Sequence, residues 1–173
     1  MKLNIPTGLI FFRILCIPFF LGLFWIGANY AAALLFAAAS LSDLFDGIIA
    51  RRTGNFNTFV KFADPLADKM LICCALVALC GAGLVPAWFV ILIICRDFLI
   101  TGFRMFAAAN GKVLGAVITG KLNTALQMIF IPCILIGVST FIQTGLLWLI
   151  VIMTIVSTTE NFIRNKSIAK QIF

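Results

Sequence analysis

The sequence predicts an all-α fold: an integral membrane bundle of six transmembrane helices with a short N-terminal interfacial helix. Three observations carry that expectation. The chain is 63% hydrophobic and only 11% charged, whereas a soluble domain carries about 25% charged residues and needs them to cover its surface. Turn signals cut the apolar sequence into six stretches, each near the ~20 residues a helix needs to cross a bilayer. Basic residues fall in every second connection, the pattern that orients multi-pass membrane proteins. By length, residues 1–173 are expected to form one domain.

The elements follow in order. The opening MKLNIPTGLIFFR has no small-residue cleavage site after its apolar run, so Lys2 to Arg13 is expected to stay and lie along the interface. The spans are then 9–27, 30–50, 62–81, 85–107, 120–138 and 144–160. Gly27-Ala28-Asn29 closes the first. The second is rich in alanine (Ala31, Ala32, Ala33, Ala37, Ala38, Ala39), which suits close helix packing. It ends around Arg51-Arg52-Thr53-Gly54-Asn55. The third contains Pro65, which removes one backbone hydrogen bond and predicts a kink, and it closes at Gly81-Ala82-Gly83. The fourth ends before Asn110-Gly111-Lys112, and residues 137–144 separate the last two.

Charge placement sets the orientation. Connections 27–30, 81–86 and 137–145 hold no Lys or Arg. The N-terminus (Lys2, Arg13), the 51–61 turn (Arg51, Arg52, Lys61), the 104–121 connection (Arg104, Lys112, Lys121) and the tail (Arg164, Lys166, Lys170) are basic. Both termini are therefore expected on the cytoplasmic side of the cell membrane. The net charge of +7 follows from orientation and contact with anionic lipid headgroups, and nothing in it points to nucleic acid.

The chain has no histidine, which excludes Ser-His and Cys-His catalysis and any His-ligated metal. Its six cysteines lie in or beside apolar spans and read as small buried hydrophobes. Chemistry is left to carboxylates, Lys, Arg and bound ions. Of six acids, Asp43, Asp46, Asp64 and Asp68 fall close together in DLFDGIIARRTGNFNTFVKFADPLADK, with Asp97 and Glu160 elsewhere. On a helix Asp43, Asp46 and Ala50 share a face with Gly47 adjoining, and Asp64 and Asp68 share another. Two antiparallel helices joined by a short turn bring both pairs into one space. Counted from the uncharged turns at ~1.5 Å per residue, the four lie roughly 20–26 Å across a core of about 30 Å. An Asp at mid-membrane costs roughly 2.5–3.5 kcal/mol, so a cation must compensate. Three readings compete: a salt-bridge network with Arg51, Arg52, Lys61 and Lys69; an ion or proton pathway; and a two-metal site. Hard oxygen donors on two helices suit Mg²⁺ or Mn²⁺. Four carboxylates and two dications sum to zero, leaving a neutral, oriented site for a diphosphate.

The spacing decides among them by resemblance. DLFDGIIAR, eight residues, and VKFADPLAD resemble the CDP-alcohol phosphatidyltransferase signature D-x2-D-G-x2-A-R-x8-G-x3-D-x3-D. Asp43, Asp46, Gly47, Ala50, Arg51, Asp64 and Asp68 match in residue and spacing, while Val60 stands where the family has its second glycine. NIPTGLIFFRILCIP, CRDFLITGFR at 95–104 and GKLNT at 120–124 are similar to the phosphatidylglycerophosphate-forming branch, so residues 3 to 128 are covered. Asn123 is a second departure, since that branch more often has Lys there. The sixth span carries little beyond apolar character.

The resemblance implies CDP-diacylglycerol as donor and sn-glycerol 3-phosphate as acceptor, with two divalent ions, Mg²⁺ or Mn²⁺, on Asp43, Asp46, Asp64 and Asp68. It implies Asp68 as general base and contact of the CDP portion with Asp43, Asp46, Gly47, Ala50, Arg51 and the position of Val60. It also implies a homodimer. Arg104, Lys112 and Lys121, with Arg13 and Lys61, are candidates for the acceptor's phosphate; the alternative for Lys112 and Lys121 is that they are orientation charges. Arg96, ~15 Å from the outer turn by helical rise, either pairs with Asp97 or Glu160 or meets substrate. The alternatives are a sister enzyme taking inositol phosphate, serine or phosphatidylglycerol, and an ion- or proton-translocating protein.

Overall fold

A computed structural model describes the backbone of residues 5–53, 58–109 and 117–164, and the side chains of residues 12–41, 69–108 and 117–164. Among the described residues the protein is all-helical. The helices are α1 (Ile5–Trp25), α2 (Asn29–Thr53), α3 (Thr58–Gly81), α4 (Ala87–Ala109), α5 (Ile118–Ile136) and α6 (Thr140–Arg164). Each matches one expected span, with ends displaced by about one turn or less.

The N-terminus differs from expectation. The described residues contain no separate interfacial helix; Ile5 to Trp25 run as one helix. Pro6 falls in the first turn, where a missing N–H costs nothing, and no breaker follows before Arg13. Helix α3 likewise runs unbroken from Thr58 to Gly81 across Pro65.

The three uncharged turns share one construction. Gly27, Gly83 and Gly137 adopt positive φ (78°, 73° and 74°) just after α1, α3 and α5. At each, the glycine N–H donates to the carbonyl three residues back and the next N–H to the carbonyl five before it: Gly27 to Phe24 and Ala28 to Leu23, Gly83 to Cys80 and Leu84 to Leu79, Gly137 to Ile134 and Val138 to Cys133. This is the Schellman motif, which satisfies the last helical carbonyls and favours glycine because it needs a left-handed residue.

The chain divides into two compact units, Met1–Val85 with Ile131–Val138, and Pro86–Phe130 with Ser139–Phe173. In the first, α1 packs against both α2 and α3, and α2 meets α3. One face of α1, with Arg13, Cys16, Ile17 and Phe20, is buried; α2 buries Ala32, Ala33, Phe36 and Ala39, and α3 buries Leu71, Ile72, Ala75, Leu76 and Leu79. The alanines let α2 approach closely enough for the Phe20 and Phe36 rings to meet with centroids 5.8 Å apart. In the second unit α4 packs on α6, Trp88 lies 5.9 Å from Trp148 and Phe89 lies 5.4 Å from Phe130.

The outward faces carry large apolar side chains, among them Phe19, Leu34, Val77, Phe98, Ile129 and Phe141, which is 88% exposed. An apolar exterior of this extent belongs against lipid. Among the described residues, two helices, Ile118–Ile136 and Thr140–Arg164, are long and apolar enough to cross a membrane, and Phe12–Trp25, Asn29–Leu41 and Lys69–Gly81 are the described apolar parts of α1, α2 and α3. The six-span expectation thus rests directly on two helices. Ionisable residues interrupt the apolar run in α2, α3 and α4.

Candidate functional site

The signature residues divide between two neighbouring helices of one unit. Asp43, Asp46, Gly47, Ala50 and Arg51 lie in the C-terminal half of α2, and Val60, Lys61, Asp64 and Asp68 in the N-terminal half of α3. Only residues 54–57 separate the two helices, so the halves carrying the aspartates are the halves the chain joins, and α2 packs on α3. The side chains of these nine residues lie outside the described ones, as does all of Lys112. Arg13, on α1 of the same unit, is almost fully buried at 2% exposure. A groove of about 650 Å³ lies along the C-terminal half of α3, between Cys73, Cys74, Val77 and Ala78 and the residues Leu21, Phe24 and Trp25 of α1. Its lining is largely apolar and supplies no carboxylate for a hard cation and no Lys or Arg for a phosphate.

The second unit contains a buried polar seam. Arg96 and Asp97 on α4 are both buried and pair at 2.6 Å. Arg96 Nη2 also donates to Ser157 Oγ of α6 at 2.7 Å. Of the two partners considered for Arg96, Asp97 is therefore the one it meets. Glu160 instead accepts from Thr119 Oγ1 of α5 at 2.6 Å and pairs with Arg164 at 2.8 Å. Asn123 Nδ2 donates to Thr154 Oγ1 at 3.1 Å, and that hydroxyl lies 3.3 Å from Asn123 Oδ1. These contacts run antiparallel along α5 and α6. Gln127, one turn further along α5, is buried with neither amide atom hydrogen-bonded. Arg104, half-buried on α4, has its Nε without a hydrogen-bond partner, while Lys121 on α5 is exposed.

Sequence reasoning placed the sixth helix but missed its polar face. Thr154, Ser157 and Asn161 are all buried on one face of α6, and Glu160 stands beside them. Their spacing of three and four residues in an apolar helix was the available signal, since a polar stripe at helical period in lipid marks a packed face.

Comparison with known proteins settles the family. The model of the CDP-alcohol phosphatidyltransferase family matches residues 3–156. The chain belongs to the CDP-alcohol phosphatidyltransferase family. It is similar to the CDP-diacylglycerol–glycerol-3-phosphate 3-phosphatidyltransferase of Bacillus subtilis (strain 168), with 39% identity over 94% of this chain and 95% of the relative. The protein of the same name from Escherichia coli (strain K12) is 36% identical over 78% of each chain. CDP-alcohol phosphatidyltransferases are membrane-associated, divalent-metal-dependent transferases. The family match covers the helices bearing both aspartate pairs and most of α6.

Proposed function

We propose that this CDP-alcohol phosphatidyltransferase moves the phosphatidyl group of CDP-diacylglycerol to sn-glycerol 3-phosphate, giving phosphatidylglycerophosphate and CMP. The observation that carries the reading is the placement of seven signature residues on the joined halves of α2 and α3, together with relatives bearing that name along most of the chain.

The donor set fits divalent cations. Asp43, Asp46, Asp64 and Asp68 supply hard carboxylate oxygens from two packed helices, the chemistry that Mg²⁺ and Mn²⁺ prefer, and they would hold two such ions. When bound, the ions offset charge building on the transferred phosphoryl group. Gly47 and Ala50 keep the α2 backbone open to close approach by the CDP portion, and Arg51 binds its phosphate oxygens. Asp68 accepts the proton of the acceptor hydroxyl. That oxygen forms the new bond to the phosphatidyl phosphorus as the bond to CMP breaks, and CMP leaves with the electron pair. Arg104 and Lys121 bind the acceptor's phosphate, with Lys112 as a further contributor. Arg104 is favoured by its unpartnered Nε. Arg96 is engaged by Asp97 and Ser157 and serves chiefly inside its unit.

The chain acts as one domain of six spans in the cell membrane, with termini and site cytoplasmic, and as a homodimer. Alternation of basic and uncharged connections supports the orientation. Purified protein in lipid-detergent micelles is expected to release CMP from CDP-diacylglycerol only when sn-glycerol 3-phosphate and Mg²⁺ or Mn²⁺ are present. Inositol phosphate, serine and phosphatidylglycerol should fail as acceptors. Asp68→Asn should reduce turnover by at least ~10²-fold, the contribution of a general base. Full turnover by that variant would remove Asp68 from the role.

A further inference from the structure

Glu160 is the one acid outside the aspartate signature and the Arg96–Asp97 pair. It stands near the C-terminal end of α6, where the helix dipole disfavours a carboxylate. Its neighbours explain the position. Oε2 accepts the Thr119 hydroxyl at 2.6 Å, and Thr119 is the second residue of α5, whose N-terminal field favours negative charge. Oε1 pairs with Arg164 at 2.8 Å.

The same turns of α5 are held at further points. Asn123 is bonded to Thr154. The Arg96 guanidinium lies against Gly120, its Nη2 within 3.4 Å of where a Cβ would stand. The Val117 carbonyl accepts from the N–H groups of Gly120 and Lys121 at 3.1 and 3.3 Å. Lys121 itself points into the open, on backbone fixed from either side.

We infer that Thr119 and Glu160 are positioning residues for acceptor binding: their hydrogen bond clamps the first turn of α5 and so places Lys121 for the acceptor's phosphate. This rests on the reading of Lys121 as a phosphate ligand. The sign of the effect makes the inference testable. As a charge alone, Glu160 repels a phosphate dianion, so its removal tightens acceptor binding. As a clamp, its removal weakens binding. The pairing with Arg164 mutes the charge effect, leaving the clamp dominant.

The test measures kcat and KM for both substrates by CMP release, with the full chain in lipid-detergent micelles. Thr119→Val and Glu160→Ala should each raise KM for sn-glycerol 3-phosphate about 5- to 10-fold, the scale of one lost hydrogen bond, with KM for CDP-diacylglycerol unchanged. Because both remove the same bond, the double variant should be no worse than the poorer single one. Glu160→Gln still accepts from Thr119 and should return KM to within about 2-fold of the unaltered protein. A lowered or unchanged acceptor KM in Glu160→Ala, or parallel rises in both KM values, overturns the clamp. Lys121→Met separates the two claims. If it leaves acceptor KM unchanged, the reading of Lys121 fails and the inference with it. If it raises acceptor KM while Glu160→Ala does not, the clamp alone fails.

Discussion

Arg96 and Asp97 place two opposite charges side by side in the interior of an apolar unit, 8% and 3% exposed. Neither charge is tolerable there alone, since desolvation costs several kcal/mol per ion and only a close partner offsets it. The 2.6 Å pair supplies that partner, and Ser157 takes a second N–H of the guanidinium. Arg96→Leu leaves the Asp97 carboxylate without its adjacent cation and should destabilise the folded protein by about 3–5 kcal/mol. Replacing both residues by leucine removes the buried carboxylate as well as the pair, so the double variant should lose much less. Thermal unfolding in a fixed detergent reads the comparison; a double variant less stable than Arg96→Leu would show that the pair contributes stability rather than mutual neutralisation.

At the scale of elements, the turns after α1, α3 and α5 are one device used three times. Gly83 has open space around the position a Cβ would take and a φ of +73°. Gly83→Ala therefore meets no neighbour, and its cost is the backbone strain of a left-handed L-residue, about 1–2 kcal/mol. A thermal midpoint equal to that of the unaltered protein would mean the turn relaxes to another conformation. These turns were legible in the sequence because glycine choice and helix ending are local. So was the place of DLFDGIIAR and FADPLADK on two neighbouring helices joined by a short connection. The seam of the second unit was not legible, for Asn123 and Thr154 are 31 residues apart, Thr119 and Glu160 are 41 apart, and Arg96 and Ser157 are 61 apart. No local periodicity names a partner at that distance. Arg96 showed the limit plainly: its depth could be counted, while Asp97 and Glu160 stood as equal partners until the helices were packed. The continuous α1 was missed for the opposite reason. A charge pattern suggested an interface segment, but nothing between Ile5 and Arg13 stops a helix.

For the whole molecule, orientation is the property on which substrate access depends. In the proposed topology both substrates' phosphates are reached from the side of the basic connections, and the glycine-capped turns fall on connections without Lys or Arg. Trp25 ends α1, Trp88 opens α4 and Trp148 lies in the first half of α6. The proposed topology sends all three toward the outer headgroups, where indole rings concentrate. Helix α6 gives the most direct test, being long and apolar enough to cross by itself and exposed at Ser139, just before it, and at Arg164, its last residue. In a variant with the six native cysteines replaced, Ser139→Cys should react with a membrane-impermeant maleimide on intact cells. Arg164→Cys should react only after the membrane is permeabilised. The opposite labelling would invert the orientation and put the aspartates on the wrong side for cytoplasmic substrates. Labelling of both from outside would mean that α6 does not span, and the count of six would fall with it.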